Sequence, residues 1–171
     1  MSDVRSGAVK FKGNPIDLAG KELKVGDSAP DFELVDTSLA TVTRQNYAGK
    51  TLLLIAVPSL DTSTCSLETK TFNEQVSGRS DLVAAVVSMD LPFAQKRWCG
   101  AEGVENVVAL SDFRKGKFAS DYGVKIEGGP LEGIMARAVF VVKPDGKLAH
   151  VEYVSEVSAE PDYSAALAAT K

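Results

Sequence analysis

Runs of consecutive apolar residues dominate the middle of the chain and predict strands that are buried on both faces. There are four such runs, at residues 51–57, 82–88, 107–110 and 138–142. The segments between and after them carry helical periodicity or helix-start residues instead. These predicted helices cover residues 65–78, 93–98, 112–122 and 162–170. Because strands alternate with helices, the pattern favours an α/β sandwich with a mixed central sheet.

Turn residues add hairpins near both ends of the chain. Gly13-Asn14 separates two short strand-like segments and predicts an N-terminal β-hairpin, and Pro144-Asp-Gly146 predicts a second hairpin. Gly100 and Gly123 stand where two of the helices would end. Short strands are also predicted at residues 31–35 and 42–45. A thioredoxin-like fold with these additions fits the order, and we expect one domain over residues 1–171.

Composition argues against several functional classes. An apolar content of 44% with 25% charged residues is ordinary for a globular protein, and a net charge of −4 gives no support to a nucleic-acid or anionic-membrane partner. The longest apolar runs are six residues, too short to span a membrane. The start MSDVRSGAVKFKG lacks a secretory pattern, so we expect a cytoplasmic protein. In that compartment a thiol pair is more often catalytic or redox-sensing than structural.

The candidate chemistry lies in PSLDTSTC, residues 58–65, directly after the first buried strand. Pro58 cannot donate to a strand ladder and therefore ends the strand. Residues 61–63 are all good N-cap types, so a helix begins among them and Cys65 lies in its first turn. At that position, at the carboxyl end of a central strand, the helix dipole favours a thiolate. Thr62 is one turn earlier, and its hydroxyl can reach the sulfur.

These residues alone leave three interpretations of Cys65 open: an inert core residue, half of a structural disulfide, or a nucleophile. Cys99 is the other cysteine and stands 34 positions later, which excludes a C-x-x-C motif. Two cysteines and the single histidine, His150, cannot complete a four-ligand zinc site within one chain. His150 also lies in an alternating segment typical of a solvent-facing strand, which argues against a Cys–His protease.

Two separated motifs resemble a known family. The pattern P-x-x-x-T-x-x-C at residues 58–65 resembles the active-site signature of peroxiredoxins. The longer PSLDTSTCSLETKTFNE, with PFAQKRWCGAEG at residues 92–103, resembles the thiol peroxidases, the atypical two-cysteine peroxiredoxins of bacteria. The similarity extends to RAVFVV and AEPDYSAAL, at residues 137–142 and 159–167. Ser66 replaces a proline found in many other peroxiredoxins, which suits the thiol peroxidase branch.

The resemblance implies roles for the candidate residues. Cys65 is the peroxidatic cysteine, whose thiolate attacks the O–O bond of a hydroperoxide and becomes a sulfenic acid. Pro58 shields the pocket, and Thr62 hydrogen-bonds the sulfur and the peroxide oxygen. Arg137 favours the thiolate and stabilises charge on the leaving oxygen. Without the resemblance, a solvated strand end remains the alternative interpretation of Arg137.

The resemblance also implies that Cys99 is the resolving cysteine, which forms an intrachain disulfide with Cys65. Because a disulfide needs Cα atoms within roughly 7 Å, we expect the turns around Cys65 and the segment 92–100 to unwind partly in each cycle. The expected substrates are hydrogen peroxide and organic hydroperoxides, the reductant is thioredoxin, and the assembly is a homodimer. No metal, haem or flavin is implied.

Three other functions remain to be distinguished. A thioredoxin-like disulfide oxidoreductase would share the fold but normally carries C-x-x-C. A binding domain with a structural disulfide would lose stability on reduction. A peroxide sensor would share the site chemistry and differ in the number of turnovers with thioredoxin.

Overall fold

The four apolar runs form adjacent strands at the centre of the larger of two sheets. The computed structural model describes residues 3–171, which contain ten strands, four α-helices and a 3₁₀ turn. The strands are β1 (Val4–Phe11), β2 (Asn14–Ala19), β3 (Glu33–Val35), β4 (Thr41–Thr43), β5 (Thr51–Ala56), β6 (Leu82–Ser88), β7 (Val107–Ser111), β8 (Lys125–Glu127), β9 (Ala138–Val142) and β10 (Leu148–Tyr153). The helices are α1 (Ser63–Gln75), α2 (Pro92–Glu102), α3 (Lys117–Asp121) and α4 (Tyr163–Ala169), and the 3₁₀ turn is Arg44–Tyr47.

The larger sheet has seven strands in the order β10-β9-β5-β6-β7-β3-β4, and the smaller one has the order β1-β2-β8. In the larger sheet β5, β6 and β7 run parallel, whereas β9 is antiparallel to β5. The predicted mixed α/β architecture is therefore confirmed, together with the hairpin of β1 and β2 and that of β9 and β10. Within residues 3–171, no helix has both the length and the apolar character needed to cross a membrane.

Both faces of β5 are covered, because its side chains alternate between two apolar clusters. Leu52 and Leu54 belong to one cluster, while Leu53 and Ile55 belong to the other. The second cluster also contains Cys65 and Phe72 of α1 and Trp98 of α2, and Cys99 packs against it. Burial on both faces explains why β5 is a continuous apolar run.

Strand direction brings three distant segments to one edge of the sheet. Ala56 ends β5, and it pairs with Val87 near the end of the parallel strand β6. Ala56 also pairs with Ala138, the first residue of the antiparallel strand β9. The residues that follow β5 and β6 and the residue that precedes β9 therefore meet at the same edge.

Several predicted boundaries differ from those observed. The segment 112–122 becomes helical only at Lys117, and the Asp112 carboxylate accepts hydrogen bonds from the first N–H groups of α3 across the intervening turn. The prediction that α2 ends near Gly100 is wrong. The helix continues to Glu102, and Gly103 ends it with a left-handed φ of 65°. The strand predicted at 42–45 ends at Thr43, where the 3₁₀ turn begins, and β8 was not predicted.

A close backbone approach joins the smaller sheet to the end of α3, and it requires glycine at residue 20. Gly20 has φ +99°, and an added Cβ there would collide with the carbonyl oxygen of Ser120. Gly26 has a similar φ of +96°, but an added Cβ would meet nothing within 4 Å. The two glycines therefore share backbone strain and differ in packing.

We expect Gly20→Ala to destabilise the protein more than Gly26→Ala does. Both substitutions incur the strain of a positive φ, about 1–3 kcal/mol, and Gly20→Ala adds an overpacking cost of about 1–3 kcal/mol. Urea unfolding, followed by circular dichroism, measures the unfolding free energy of the two variants. Equal losses of unfolding free energy in the two variants would contradict the packing argument.

Candidate active site

Cys65 lies in the first turn of α1, as the sequence predicts. Thr62 is the N-cap, and its Oγ1 accepts a hydrogen bond from the Cys65 backbone N–H at 3.3 Å. The same hydroxyl donates to the carbonyl oxygen of Ser59 at 3.1 Å. The Thr62 hydroxyl thus contacts the backbone around the cysteine, and its predicted contact with the sulfur is not formed in this structure. Cys65 itself is fully buried, with 0% exposure.

Arg137 reaches the sulfur from the other side of the site. Its Nη2 donates to Cys65 Sγ at 3.3 Å, its Nη1 to Glu68 Oε2 at 2.5 Å, and its Nε to the carbonyl oxygen of Val157 at 2.9 Å. The side chain is 2% exposed, so the alternative of a solvated strand end is wrong. The contact follows from the antiparallel pairing of β9 with β5, which brings residue 137 beside the chain that leaves β5.

Glu68 is a site residue that sequence reasoning missed. It follows Cys65 by three positions on α1, a spacing that puts both side chains on one face of the helix. The residue is 0% exposed, and within residues 3–171 its Oε1 has no hydrogen-bond partner. Burial raises the pKa of this carboxyl to about 7, although Arg137 acts in the opposite direction. The available signal was the i, i+3 spacing from the cysteine.

The site therefore contains one fixed cation that faces two groups able to carry negative charge. Burial alone would lower the pKa of Arg137, but the charges and hydrogen bonds of Glu68 and Cys65 outweigh it, and the pKa is raised. The guanidinium stays charged. It can stabilise a thiolate at Cys65 and can also stabilise negative charge that develops on an atom bound beside the sulfur.

Pro58 and Cys99 are the two remaining site residues that the sequence predicts. Pro58 is buried in the loop between β5 and α1. Cys99 is half-buried on α2 and packs against the same apolar cluster as Cys65, and both cysteines are free thiols. Burial raises the pKa of the Cys99 thiol. With both helices intact, Cys99 is thus held as a protonated thiol close to the core that contains Cys65.

His150 takes no part in this arrangement. It lies on β10 opposite Val141, it is half-buried where the sequence predicted a solvent-facing residue, and burial lowers its pKa. Within the described residues its Nε2 has no hydrogen-bond partner. The Cys–His pair that a cysteine protease requires is therefore not formed.

Comparison with known proteins gives consistent results. Residues 24–167 match the Redoxin family. A thiol peroxidase of Streptococcus pneumoniae strain R6 is 47% identical over 163 residues, which are 95% of this chain and 98% of the relative. A thiol peroxidase of Leptospira interrogans is 48% identical over 163 residues, which are 94% of this chain and 95% of the relative.

Solved structures extend the similarity to the fold. The crystal structure of a peroxiredoxin-like protein from Aquifex aeolicus has a TM-score of 0.88 at 43% identity, and the match covers 98% of this chain and 96% of that one. A thiol peroxidase from Chromobacterium violaceum has a TM-score of 0.85 at 22% identity, covering 92% and 91%, which supports the thioredoxin-like fold alone. The family match, the two relatives and the geometry around Cys65 agree. The chain belongs to the Redoxin family and, within it, to the thiol peroxidases, which are peroxiredoxin enzymes.

Proposed function

We propose that this chain reduces hydrogen peroxide and organic hydroperoxides at Cys65 and is recycled through a Cys65–Cys99 disulfide by thioredoxin. The observation that carries the proposal is the buried guanidinium of Arg137, which donates to Cys65 Sγ at 3.3 Å at the amino end of α1. An inert core cysteine has no need of a buried cation, which is costly to desolvate. A thiolate nucleophile does need one.

In the first step the Cys65 thiolate attacks the terminal oxygen of the hydroperoxide. A new S–O bond forms and the O–O bond breaks, which leaves a sulfenic acid on Cys65. The electron pair of the O–O bond goes to the leaving oxygen, which takes up a proton and departs as water or an alcohol. Arg137 is fixed before the reaction begins, so it can stabilise the developing charge on that oxygen without reorganisation.

Glu68 holds Arg137 in place and competes for its charge. The Glu68 carboxylate orients the guanidinium through Nη1, and this leaves Nη2 directed at the sulfur. When Glu68 is ionised, one cation faces two anions in a dry site. When Glu68 is protonated, the positive charge of Arg137 stabilises a thiolate at Cys65 without competition from the Glu68 carboxylate. The proton on Glu68 therefore couples to the state of the thiol.

In the second step the Cys99 thiol attacks the sulfur of the Cys65 sulfenic acid, a disulfide forms, and water leaves. Cys99 is half-buried on an intact α2, so this step requires local opening of the helix. Thioredoxin then reduces the disulfide by thiol–disulfide exchange. We place this cycle in the cytoplasm and in a homodimer, as expected for this family.

A coupled assay tests the peroxidase activity and its recycling by thioredoxin. Consumption of NADPH is followed with thioredoxin and its reductase, in the presence of hydrogen peroxide or an alkyl hydroperoxide. Oxidation of NADPH that depends on both peroxide and protein supports the proposal. Reduction of insulin without peroxide would instead indicate a disulfide oxidoreductase. A bridge that resists dithiothreitol would indicate a structural disulfide.

The two cysteines should contribute to different steps. Cys65→Ser should abolish peroxide reduction, because the O–O bond is broken by the Cys65 thiolate. Cys99→Ser should consume about one equivalent of peroxide at near wild-type speed and then stall, because no internal thiol remains to attack the sulfenic acid. Stopped-flow peroxide consumption and the mass of the Cys65 peptide measure both, with sulfinic acid expected after prolonged exposure. Multiple turnover of Cys99→Ser with thioredoxin would exclude Cys99 as the required resolving thiol.

Arg137→Ala should lower the second-order rate with hydrogen peroxide by about ten- to a thousandfold, the scale for losing one preorganised donor. Arg137→Lys should restore only part of it, because a lysine cannot contact Glu68 and the sulfur with one planar group. Arg114→Ala is the matched control, since Arg114 is an exposed arginine. An unchanged rate for Arg137→Ala would remove the guanidinium from the mechanism.

Glu68 predicts a dependence of stability on pH. Its folded pKa of about 7 lies above the ordinary value of 4.5, so the folded protein binds this proton more tightly than the unfolded chain does. The resulting stability is fully present below pH 4.5 and is lost as the pH rises to about 7. Relative to wild type, Glu68→Gln should therefore become more stable between pH 5 and pH 8 in urea unfolding. Glu74→Gln, on an exposed position of the same helix, should follow wild type. Parallel pH curves for wild type and Glu68→Gln would contradict the assignment.

A further inference from the structure

Asp90 follows β6 at the same edge of the sheet as Cys65, and the mechanism above does not use it. Its half-buried carboxylate accepts three hydrogen bonds, from Ser59 Oγ at 2.7 Å, from the Leu60 N–H at 2.8 Å and from Ser88 Oγ at 2.8 Å. Two of these donors belong to the loop between β5 and α1. A carboxylate that accepts two hydrogen bonds from one loop restrains it more strongly than neutral acceptors do.

The hydrogen bonds continue from Asp90 to the backbone of the cysteine. Ser59 donates to Asp90 through its side chain, and its carbonyl oxygen accepts from both the N–H and the hydroxyl of Thr62, each at 3.1 Å. The Thr62 hydroxyl in turn accepts from the Cys65 N–H at 3.3 Å. A continuous path of hydrogen bonds thus joins Asp90 to Cys65 through Ser59 and Thr62.

The sheet fixes Asp90 from its other side. Ser88 Oγ accepts from the Asp90 N–H at 3.2 Å and from Gln95 Nε2 at 3.2 Å, and Ser111 Oγ donates to the Asp90 carbonyl oxygen at 2.5 Å. Ser88 and Ser111 are the last residues of β6 and β7. The backbone of Asp90 is therefore anchored to the ends of both strands and its carboxylate to Ser88, so the residue can hold the loop at a constant distance from the sheet.

A second polar contact of this loop is too weak to restrain it in the same way. The Asp61 carboxylate forms an ion pair with Arg97 of α2 at 3.4 Å, and both side chains are 66% exposed. Exposed pairs of this kind contribute about 0–1 kcal/mol and are screened by salt. Asp90 is thus the principal polar restraint on the loop.

We propose that Asp90 is a positioning residue for peroxide reduction, which fixes the loop of residues 59–62 and thereby holds the Cys65 sulfur against the Arg137 guanidinium. The inference rests on the proposed role of Cys65. A misplacement of about 1 Å in a reacting group can cost about a hundredfold in rate, and an unrestrained helix start frays. Loss of Asp90 should therefore slow the peroxide step through geometry.

The test compares Asp90→Asn with wild type. The amide keeps the shape but replaces one acceptor oxygen by an NH2 donor, so the three bonds that the carboxylate accepts from Ser59, Leu60 and Ser88 cannot all be kept in their present direction. We expect the second-order rate with hydrogen peroxide to fall at least tenfold and backbone amides of residues 59–65 to exchange hydrogen faster. Loss of negative charge by itself would favour the thiolate and raise the rate, so the sign of the change separates positioning from electrostatics. An unchanged or higher rate would overturn the proposal.

Asp36→Asn provides the matched control. Asp36 is also half-buried and accepts three hydrogen bonds, from the N–H and hydroxyl of Ser38 and the N–H of Ala40, but it lies in the turn between β3 and β4. Asp36→Asn should change neither the rate with hydrogen peroxide nor the hydrogen exchange of backbone amides in residues 59–65. Equal rate losses in the two asparagine variants would reduce the effect of Asp90 to general destabilisation and overturn the proposal.

Ser59→Ala completes the experiment and removes one link with little change in volume. It should lower the rate severalfold, and the double variant with Asp90→Asn should be no slower than Asp90→Asn alone, because both act through one path. Rate losses that add fully in the double variant would show that Ser59 and Asp90 act independently and would contradict a single hydrogen-bond path. If Cys65→Ser kept its peroxidase activity, the proposed function would fail. Exchange at residues 59–65 would still report whether Asp90 orders the loop.

Discussion

The buried guanidinium of Arg137 is the interaction on which the rest of the site depends. A charge that is 2% exposed is tolerated only when it has hydrogen-bond partners, and here each of the three nitrogens has one acceptor: a backbone carbonyl, a carboxylate and a sulfur. Removing any one partner leaves part of the cation without compensation. The Arg137 guanidinium thus fixes the position of the Cys65 sulfur and that of the Glu68 carboxylate. Helix α1 must therefore carry these two residues about one turn apart.

The topology of the sheet makes this arrangement possible. Cys65 and Arg137 are 72 positions apart, yet they follow and precede strands that pair at Ala56 and Ala138. Asp90 reaches the same edge because β6 runs parallel to β5. Each group enters from a strand that is buried and hydrogen-bonded, and only the loop of residues 59–62 needs a restraint of its own. The apolar core therefore determines most of the geometry on which the chemistry depends.

Local signals in the sequence predicted the four central strands and the position of Cys65, because a proline, N-cap residues and an apolar run each act within a few positions. The ends of α2 and α3 could not be predicted as well. Gly100 and Gly103 are equally plausible stops, and the carboxylate of Asp112 caps α3 from across a turn. Glu68 was missed because a charged residue on a helix is usually solvated. Its burial depends on Arg137, which approaches from another strand.

In the proposed mechanism, the full burial of Cys65 would also limit which oxidants can react with it. Because Cys65 is 0% exposed, even an oxidant as small as hydrogen peroxide would reach its sulfur only after a local rearrangement, and a bulky disulfide would require a larger opening. Cys99 is half-exposed, so a protein reductant would meet the sulfur of Cys99 first. The peroxide would then react at the sulfur of Cys65, whereas the protein reductant would react at the sulfur of Cys99. Such a separation would insulate the reactive thiol from the general thiol–disulfide exchange of its surroundings.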